Sequence, residues 1–317
     1  MSGKPTVIST FAGCGGSSLG YQMAGYKELL AIEWDKTAVE TFQLNFPDIP
    51  IWQRDIRTVT SEEILLFCGL KVGELDLLDG SPPCQGFSTA GKRRVYDARN
   101  DLFREFVRLI QGLQPKVFVM ENVSGMVKGT MKGMFREIIL ALKDCGYQVK
   151  CRLMNTMYYG VPQSRQRLIF IGVRNDLMIE PNFPGPQTKP ITVREAFAGL
   201  SENLDAPEMS GNYIDYWLKT KPGGYVGKRF DTEKLNYNQV SGTLQSSEGY
   251  GGKYHPQESR PINTLERKRL SSFPDNFIFL SWKTAIILLG NSVPPLFMNK
   301  IARHIKDNIL ETAKQGV

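Results

Sequence analysis

Histidine is almost missing from this 317-residue chain, and its cysteines are unpaired in spacing. Two histidines (His255, His304) and five cysteines with no Cys-x-x-Cys spacing leave no plausible zinc site, and no metal is expected. The cysteines (Cys14, Cys68, Cys84, Cys145, Cys151) are odd in number and follow no signal peptide, so they read as reduced thiols in a cytoplasm. No stretch approaches the roughly 18 apolar residues that span a bilayer, which argues against a membrane protein. Repeats and low-complexity segments are also lacking. What remains is a globular composition, 41% hydrophobic and 22% charged, long enough for one large domain or a large one plus a small one. The formal charge of +7 suits a polyanionic partner without demanding one.

The first 175 residues alternate strand-like and helix-like runs, the pattern of a mostly parallel α/β sheet with helices on both faces. Strands are expected at 6–11, 29–33, 75–79, 116–121, 148–154 and 167–173. Helices are expected at 17–24, 36–45, 61–68, 101–113 and 132–145. From 176 to 260 the periodicity fades into turn signals such as Pro184-Gly185-Pro186 and Pro222-Gly223-Gly224. A helical run at 263–271, a loop and a final helix at 295–313 then return. This order suggests a large domain of 1–175 and 261–317 with a small irregular domain, 176–260, inserted in it.

Phe11-Ala12-Gly13-Cys14-Gly15-Gly16 follows the first apolar strand and precedes a helix, so its glycines allow a tight turn and close approach of a ligand to the helix N-terminus. Glu33 ends the second strand, where an acid can hold ribose hydroxyls. The glycine pattern lacks the third glycine of a dinucleotide fingerprint, which favours another nucleoside-containing cofactor over a nicotinamide one. Trp34 could lie against an adenine, and Asp55-Ile56 could meet the base edge. Each alone is more often a turn or core residue; the ordered set on successive strand ends favours a nucleoside site.

The run Leu75–Ser81 stops at Pro82-Pro83 and delivers Cys84 into an irregular loop, since proline cannot donate to a sheet ladder. A thiolate is the better nucleophile near neutral pH, although a single cysteine is more often a small buried hydrophobe. Glu121, at the end of another buried strand, would sit beside Cys84 along the same sheet edge as a proton donor and acceptor. Strand alternation through Gln163-Ser164-Arg165-Gln166-Arg167 places Arg165 and Arg167 on one face, where two guanidiniums could converge on an anion or carbonyl, or simply form a solvated basic edge.

Phe-Ala-Gly-x-Gly-Gly, Glu33-Trp34-Asp35, Pro82-Pro83-Cys84-Gln85, Glu121-Asn122-Val123, Gln-x-Arg-x-Arg at 163–167 and Gly-Asn-Ser-Val-Pro-Pro at 290–295 occur in that order. Together they resemble the motifs of the cytosine-C5 DNA methyltransferases of the bacterial restriction–modification type. The resemblance covers about 1–175 and 260–317 and is thin between them, where Thr243-Leu244 is similar to a short element of the family's recognition domain. It implies a Rossmann-like class I methyltransferase domain with a small target-recognition domain, and S-adenosylmethionine as methyl donor, leaving S-adenosylhomocysteine. It also implies that Phe11, Ala12, Gly13, Gly15, Gly16, Glu33, Trp34, Asp55, Ile56, Pro83, Leu102, Asn291 and Ser292 form the cofactor site, with the C-terminal motif returning to complete it beside Phe11. Ser9-Thr10 stands where many members carry an Asp, which would cost one contact near the donor's amino group.

The chemistry so implied is attack of Cys84 on C6 of a flipped cytosine, Glu121 acting on N3 and the exocyclic amine, Asn122 positioning that glutamate, and Arg165 with Arg167 holding O2 and the loop. Duplex DNA would be met by Gln85, Ser88, Lys92, Arg93, Arg94 and Arg99 of the loop after Cys84, and by Lys228, Arg229 and Thr243 of the recognition domain. Residues 176–260 hold nine Lys/Arg against eleven Asp/Glu, so the recognition segment is not itself basic. Ala90 is too small to fill the gap left by a flipped base. The expected protein is a monomer of the bacterial cytoplasm, paired in function with a restriction endonuclease. Two other readings stand beside it: a cytosine methyltransferase of tRNA, and a non-catalytic paralogue that only binds or regulates.

Overall fold

The computed structural model describes residues 3–83, 102–127, 132–200, 205–209, 211–227, 232–246 and 252–315. The chain divides into two compact units. One comprises Met1–Met154, Gln166–Gly185 and Met298–Val317; the other comprises Asn155–Arg165 and Pro186–Phe297.

The first unit is built on β1 (Thr6–Thr10), β2 (Lys27–Glu33), β3 (Ile51–Gln53), β4 (Leu77–Gly80), β5 (Val117–Val123) and β6 (Tyr147–Asn155). After a two-residue strand of the second unit, β7 (Gln163–Ser164), comes β8 (Gln166–Arg174). Its helices are α1 (Gly16–Met23), α2 (Lys36–Asn45), α3 (Ser61–Cys68), α4 (Leu102–Leu113) and α5 (Lys132–Asp144). The seven-stranded sheet runs β3-β2-β1-β4-β5-β8-β6. β1 to β5 pair in parallel, and β8 pairs antiparallel with β5, so the sheet is mixed. Val117, Phe118, Val119 and Met120 are all 0% exposed, the continuous burial expected of a central strand covered on both faces.

The strand order reverses between β1 and β4. At such a switch point the connections leave in opposite directions and open a crevice at the carboxyl ends, here those of β1 and β4. Two details shape it. α4 buries Phe103, Phe106, Val107, Ile110 and Leu113 as a helical stripe, and the Phe106 ring lies edge-on to Phe118 with centroids 6.1 Å apart. A Cβ at Gly80 would stand 2.5 Å from the Phe106 ring and 2.6 Å from Thr10 Oγ1, so only glycine lets β4 end this close to both.

The second unit holds α6 (Val193–Ala196), α7 (Asn212–Lys219), β9 (Glu233–Lys234), β10 (Ser241–Gly242), β11 (Lys253–Tyr254), α8 (Thr264–Leu270) and α9 (Trp282–Asn291). α10 (Pro295–Ile305) and α11 (Glu311–Gln315) close the chain. Strands of two residues give little ladder, and buried polar ties do much of the fastening. Arg260 grips Glu266 through two bonds of 2.8 and 2.7 Å, and Glu266 also caps α8 reciprocally with Asn263.

Two expectations change. Residues 261–297 fall in the second unit together with 155–165, and Ile262 and Leu270 complete one apolar cluster there with Val193, Leu235 and Leu244. The supposed loop before 295 contains α9, started by Ser281, whose hydroxyl accepts from Thr284 N at 3.1 Å. The helical stretch Trp282–Lys314 is also long and apolar enough to cross a membrane by length and composition, against the reading of the sequence. Two thirds of its most apolar window (67%) is buried inside the protein, as in a core helix.

Candidate active site

β1 runs into a turn in which Phe11, Gly13 and Gly15 all have left-handed backbones (φ 54°, 55° and 93°). Gly15 is required twice over: a Cβ there would strike the Phe46 ring at 2.4 Å, on a conformation L side chains rarely adopt. A Cβ at Gly13, by contrast, meets nothing within 4 Å, so open space lies beside the turn. The chain then enters α1 at Gly16, with Leu19 N donating to Gly15 O at 2.9 Å.

Glu33, at the end of β2 and 8% exposed, is the strut of this turn. Its Oε2 accepts from Gly13 N at 2.8 Å, and its Oε1 accepts from Trp34 N at 2.8 Å and Asp35 N at 2.9 Å. Burial pushes its carboxyl above the usual carboxylate range while these backbone donors pull against the shift. A carboxylate offers about four acceptor directions, so Glu33 retains capacity for a ligand hydroxyl. The next residue, Trp34, is 73% exposed and presents an aromatic surface. Asp35 begins α2 by accepting from Ala38 N. Across β3, Asp55 accepts from Arg57 N at 3.0 Å and heads the turn that buries Ile56. Open space at Gly13, a buried carboxylate with spare capacity and an exposed indole fit an adenine nucleoside.

The residues expected to carry the chemistry lie at the ends of β4, β5 and β8. Glu121 is buried near the end of β5, and Arg167 Nε stands 2.5 Å from its Oε1. Asn122 points elsewhere: Nδ2 donates to Pro82 O at 3.3 Å and Oδ1 accepts from Val123 N at 2.8 Å. Successive strand residues face opposite ways, so Asn122 fastens the Pro82-Pro83 turn to β5 and does not position Glu121 as expected. Pro82 is buried and Pro83 half-buried; Cys84, the expected nucleophile, lies outside the described residues. So do Gln85, Ser88, Lys92, Arg93, Arg94, Arg99, Lys228 and Arg229.

Arg165 departs most from expectation. Alternation is broken at it, because it separates β7 from β8, and the two arginines do not act as a pair. It is 2% exposed, donating from Nη1 to Leu244 O at 3.1 Å and from Nη2 to Gly290 O at 2.8 Å. Gln163 and Ser164 pin the same region: Leu244 N donates to Gln163 Oε1 at 3.1 Å, and Thr243 Oγ1 donates to Ser164 O at 2.9 Å. A Cβ at Gly290 would meet Ser246 N at 2.3 Å, so this glycine lets α9 end directly against the 245–246 backbone. Asn291 is exposed at the end of α9, and Ser292 Oγ donates to Leu288 O at 2.6 Å; both belong to the second unit. Leu102 starts α4 and packs partly buried against the core.

A set of buried polar residues under α1, not expected from the sequence, comprises Ser9, Ser17, Ser18, Tyr21 and Asp79, with the half-buried Glu28 beside them. The available signal was an acid interrupting the apolar run Leu77-Leu78-Asp79. Among the described residues no group of three or more His, Cys, Asp or Glu could hold a metal ion.

Residues 5–222 and 188–307 match the family model for C-5 cytosine-specific DNA methylase. The chain is 34% identical over 328 residues to the Type II methyltransferase M1.HphI of Haemophilus parahaemolyticus, covering 95% of this chain and 86% of that one. It is 32% identical over 341 residues to the Type II methyltransferase M.NgoPII of Neisseria gonorrhoeae, covering 96% of both. Among solved structures it resembles a chain encoded in an Escherichia coli prophage and provisionally assigned as a DNA modification methyltransferase, with a TM-score of 0.84, 26% identity and coverage of 97% and 100%. A Spodoptera frugiperda DNMT2 variant shares the fold at TM-score 0.70 and 17% identity, covering 98% of this chain and 100% of that one.

Proposed function

The chain belongs to the C-5 cytosine-specific DNA methylase family and is an S-adenosylmethionine-dependent DNA methyltransferase; from that premise we propose how its residues divide the work. The turn Phe11–Gly16, with Glu33, Trp34, Asp55, Ile56 and Leu102, holds the methyl donor, Glu33 accepting from ribose hydroxyls and Trp34 lying along the adenine. Pro83 joins that site, and Asn291-Ser292 carries the family's C-terminal cofactor motif. The bound donor supplies an electrophilic methyl group on sulfonium.

The C5 carbon of cytosine is too weak a nucleophile to take that methyl unaided. Cys84 thiolate therefore adds to C6 of a base flipped out of the duplex, making C5 enamine-like. Glu121 hydrogen-bonds N3 and the exocyclic amine, where negative charge would otherwise build up. Arg167 holds Oε1 of that carboxyl at 2.5 Å and leaves Oε2 for the ring. This ion pair, buried at the sheet edge that carries Pro82-Pro83, is the observation that supports the reading most. Removal of the C5 proton then expels Cys84 and releases 5-methylcytosine. Asn122 keeps the Pro82-Pro83 turn in place, and Arg165 acts at a distance by holding the second unit together.

The second unit is the target-recognition domain, with Thr243, Lys228 and Arg229 among its contacts. Gln85, Ser88, Lys92, Arg93, Arg94 and Arg99 contact the duplex near Cys84. The enzyme works as a monomer in the bacterial cytoplasm, protecting host DNA beside a cognate endonuclease. Bisulfite sequencing of DNA from cells expressing the protein tests this: 5-methylcytosine at one short sequence is expected. Methyl transfer to tRNA but not to duplex DNA would overturn the DNA reading, and transfer to neither would favour the non-catalytic one.

A further inference from the structure

The underside of α1 is polar where a helix packed on a sheet is ordinarily apolar. Two adjacent serines in its first turn face carboxyls on the strands flanking β1. Ser18 Oγ donates to Glu28 Oε1 of β2 at 2.9 Å, and Ser17 hydrogen-bonds Asp79 of β4. One turn later Tyr21 donates its hydroxyl to Asp79 Oδ1 at 2.9 Å. Thr10, the residue before the cofactor turn, donates its hydroxyl to Asp79 O at 2.9 Å. Ser9 of β1 lies between the two acids, its hydroxyl sealed from solvent and hydrogen-bonding Glu28, which it lowers. Ser9, Ser18 and Tyr21 are 0% exposed, Asp79 2% and Ser17 7%.

We propose that Asp79 and Glu28 are a proton-dependent fastener that holds α1, and with it the Gly13–Gly16 turn, against the ends of β1 and β4, so that affinity for the methyl donor depends on both acids staying neutral. The charges facing Asp79 are the carboxylates of Glu28 and Glu121, and both oppose its ionisation. Tyr21, whose own phenol burial raises far above its ordinary range, stays protonated as the donor. Burial raises Asp79 to about 8 and Glu28 to about 7. Losing its proton places a buried charge at Asp79, and a half-buried one at Glu28, under the first turn of α1 with hydroxyls alone to answer it. Asp79 and Glu28 are positioning residues: they touch the helix that presents the turn, five and more residues away from Cys84.

The proposal rests on the turn being the donor's site, and the experiment separates the two. S-adenosylmethionine binding to the full chain is measured by calorimetry from pH 6.5 to 9.5 for the native protein, Asp79→Asn and Glu28→Gln. Titration of the ligand's own amino group is common to all three and cancels in the ratio of variant to native affinity. Each amide mimics the neutral acid, so affinity at pH 6.5 should stay within about twofold, while at pH 9 the variants should bind roughly tenfold tighter than the native protein, one pK unit's worth of linkage. Superimposable pH profiles for all three proteins would overturn the fastener while leaving the site intact. Absence of binding by the native protein at every pH would overturn the site itself. Should one variant fail to fold, the other carries the same comparison. Selective ¹³C-carboxyl labelling reads the protonation directly: an Asp79 signal already ionised at pH 6.5 would also overturn it.

Discussion

Arg167 reaches Glu121 diagonally across an antiparallel pair: the residue opposite Arg167 is Val123, yet its Nε lies 2.5 Å from Glu121 Oε1. Such diagonal partners are about 7–8 Å apart at the backbone, a span only a long side chain closes. Arg167→Ala leaves a buried carboxylate without its cation, which costs about 3–5 kcal/mol where burial is complete and less at this slightly exposed pair. It should cut methyl transfer by roughly a hundredfold or more, the scale of a lost general acid or base. Arg167→Lys keeps the charge but loses the planar donor, and should recover stability better than rate. Urea unfolding alongside single-turnover kinetics checks both; a variant with native kcat would remove the ion pair from the chemistry.

Cys84→Ser should abolish methyl transfer while the protein remains folded and binds DNA, because a hydroxyl is a far weaker nucleophile than a thiolate. A duplex carrying 5-fluorocytosine should trap the native enzyme covalently, since fluorine cannot leave as a proton does. Turnover by Cys84→Ser, or the lack of a trapped complex on denaturing gels, would reassign the nucleophile.

Glu33→Ala should weaken S-adenosylmethionine binding by roughly 1–3 kcal/mol, the usual penalty for stranding hydrogen-bonding partners. It should also lower the thermal midpoint of the ligand-free protein, because three backbone donors at Gly13, Trp34 and Asp35 lose their acceptor. Asn291→Ala should weaken binding without that loss of stability, its side chain being exposed at the end of α9. Calorimetry and unfolding together decide; native affinity in both variants would remove the cofactor assignment.

How much of this was legible follows from which forces leave a local mark. The turn at 11–16 and Glu33 were readable because tight backbone geometry demands glycine, and the acid ends a strand. α9 was not, because Ala285-Ile286-Ile287-Leu288-Leu289 is apolar without helical period, as burial on most sides produces. Arg165 was misread because strand alternation was carried across a residue where the strand breaks; its partners, Leu244 and Gly290, are 79 and 125 residues away. No local pattern announces contacts of that range. The membership of 261–297 in the second unit is hidden for the same reason, since Ile262 and Leu270 are placed by distant apolar neighbours.

Arg165→Met should therefore behave as a stability variant. It leaves the carbonyls of Leu244 and Gly290 without a charged donor in a buried setting, at about 1–3 kcal/mol each. Denaturant unfolding is expected to show that loss, with DNA binding weakened at all sequences. A fully stable Arg165→Met protein that loses only kcat would restore Arg165 to the reaction.

Stability of the ligand-free protein should fall as pH rises from 7 to 9. The folded state keeps a proton on Asp79 up to about 8, whereas the unfolded chain releases it near 4, so in this window the folded state binds more protons and rising pH works against it. His255, which burial holds below its ordinary range, acts oppositely and only as pH falls through the mid-6 region, outside the window. Asp79→Asn should flatten the slope of thermal midpoint against pH; an unchanged slope would place the titrating group elsewhere.

Exchanging 186–260 for the matching segment of a related enzyme should move the methylated site and leave the product, 5-methylcytosine, unchanged. The exchange is structurally permissible because Arg165 and Gln163 bind this segment through the backbone of Leu244, which any sequence supplies, and Ser164 needs only the hydroxyl at 243. Within the segment, Tyr216, Leu218 and Tyr225 are 41%, 64% and 60% exposed, and exposed Lys219 and Lys221 adjoin them. Base readout needs side chains on groove edges, whereas phosphate contacts serve every sequence alike. Alanine at Lys219, Lys221, Lys228 or Arg229 should thus weaken binding uniformly and flatten its salt dependence where the contact is to phosphate. Where it is to a base, specificity should relax at one position by about 1–3 kcal/mol. A chimera that still methylates the original sequence would place recognition outside 186–260.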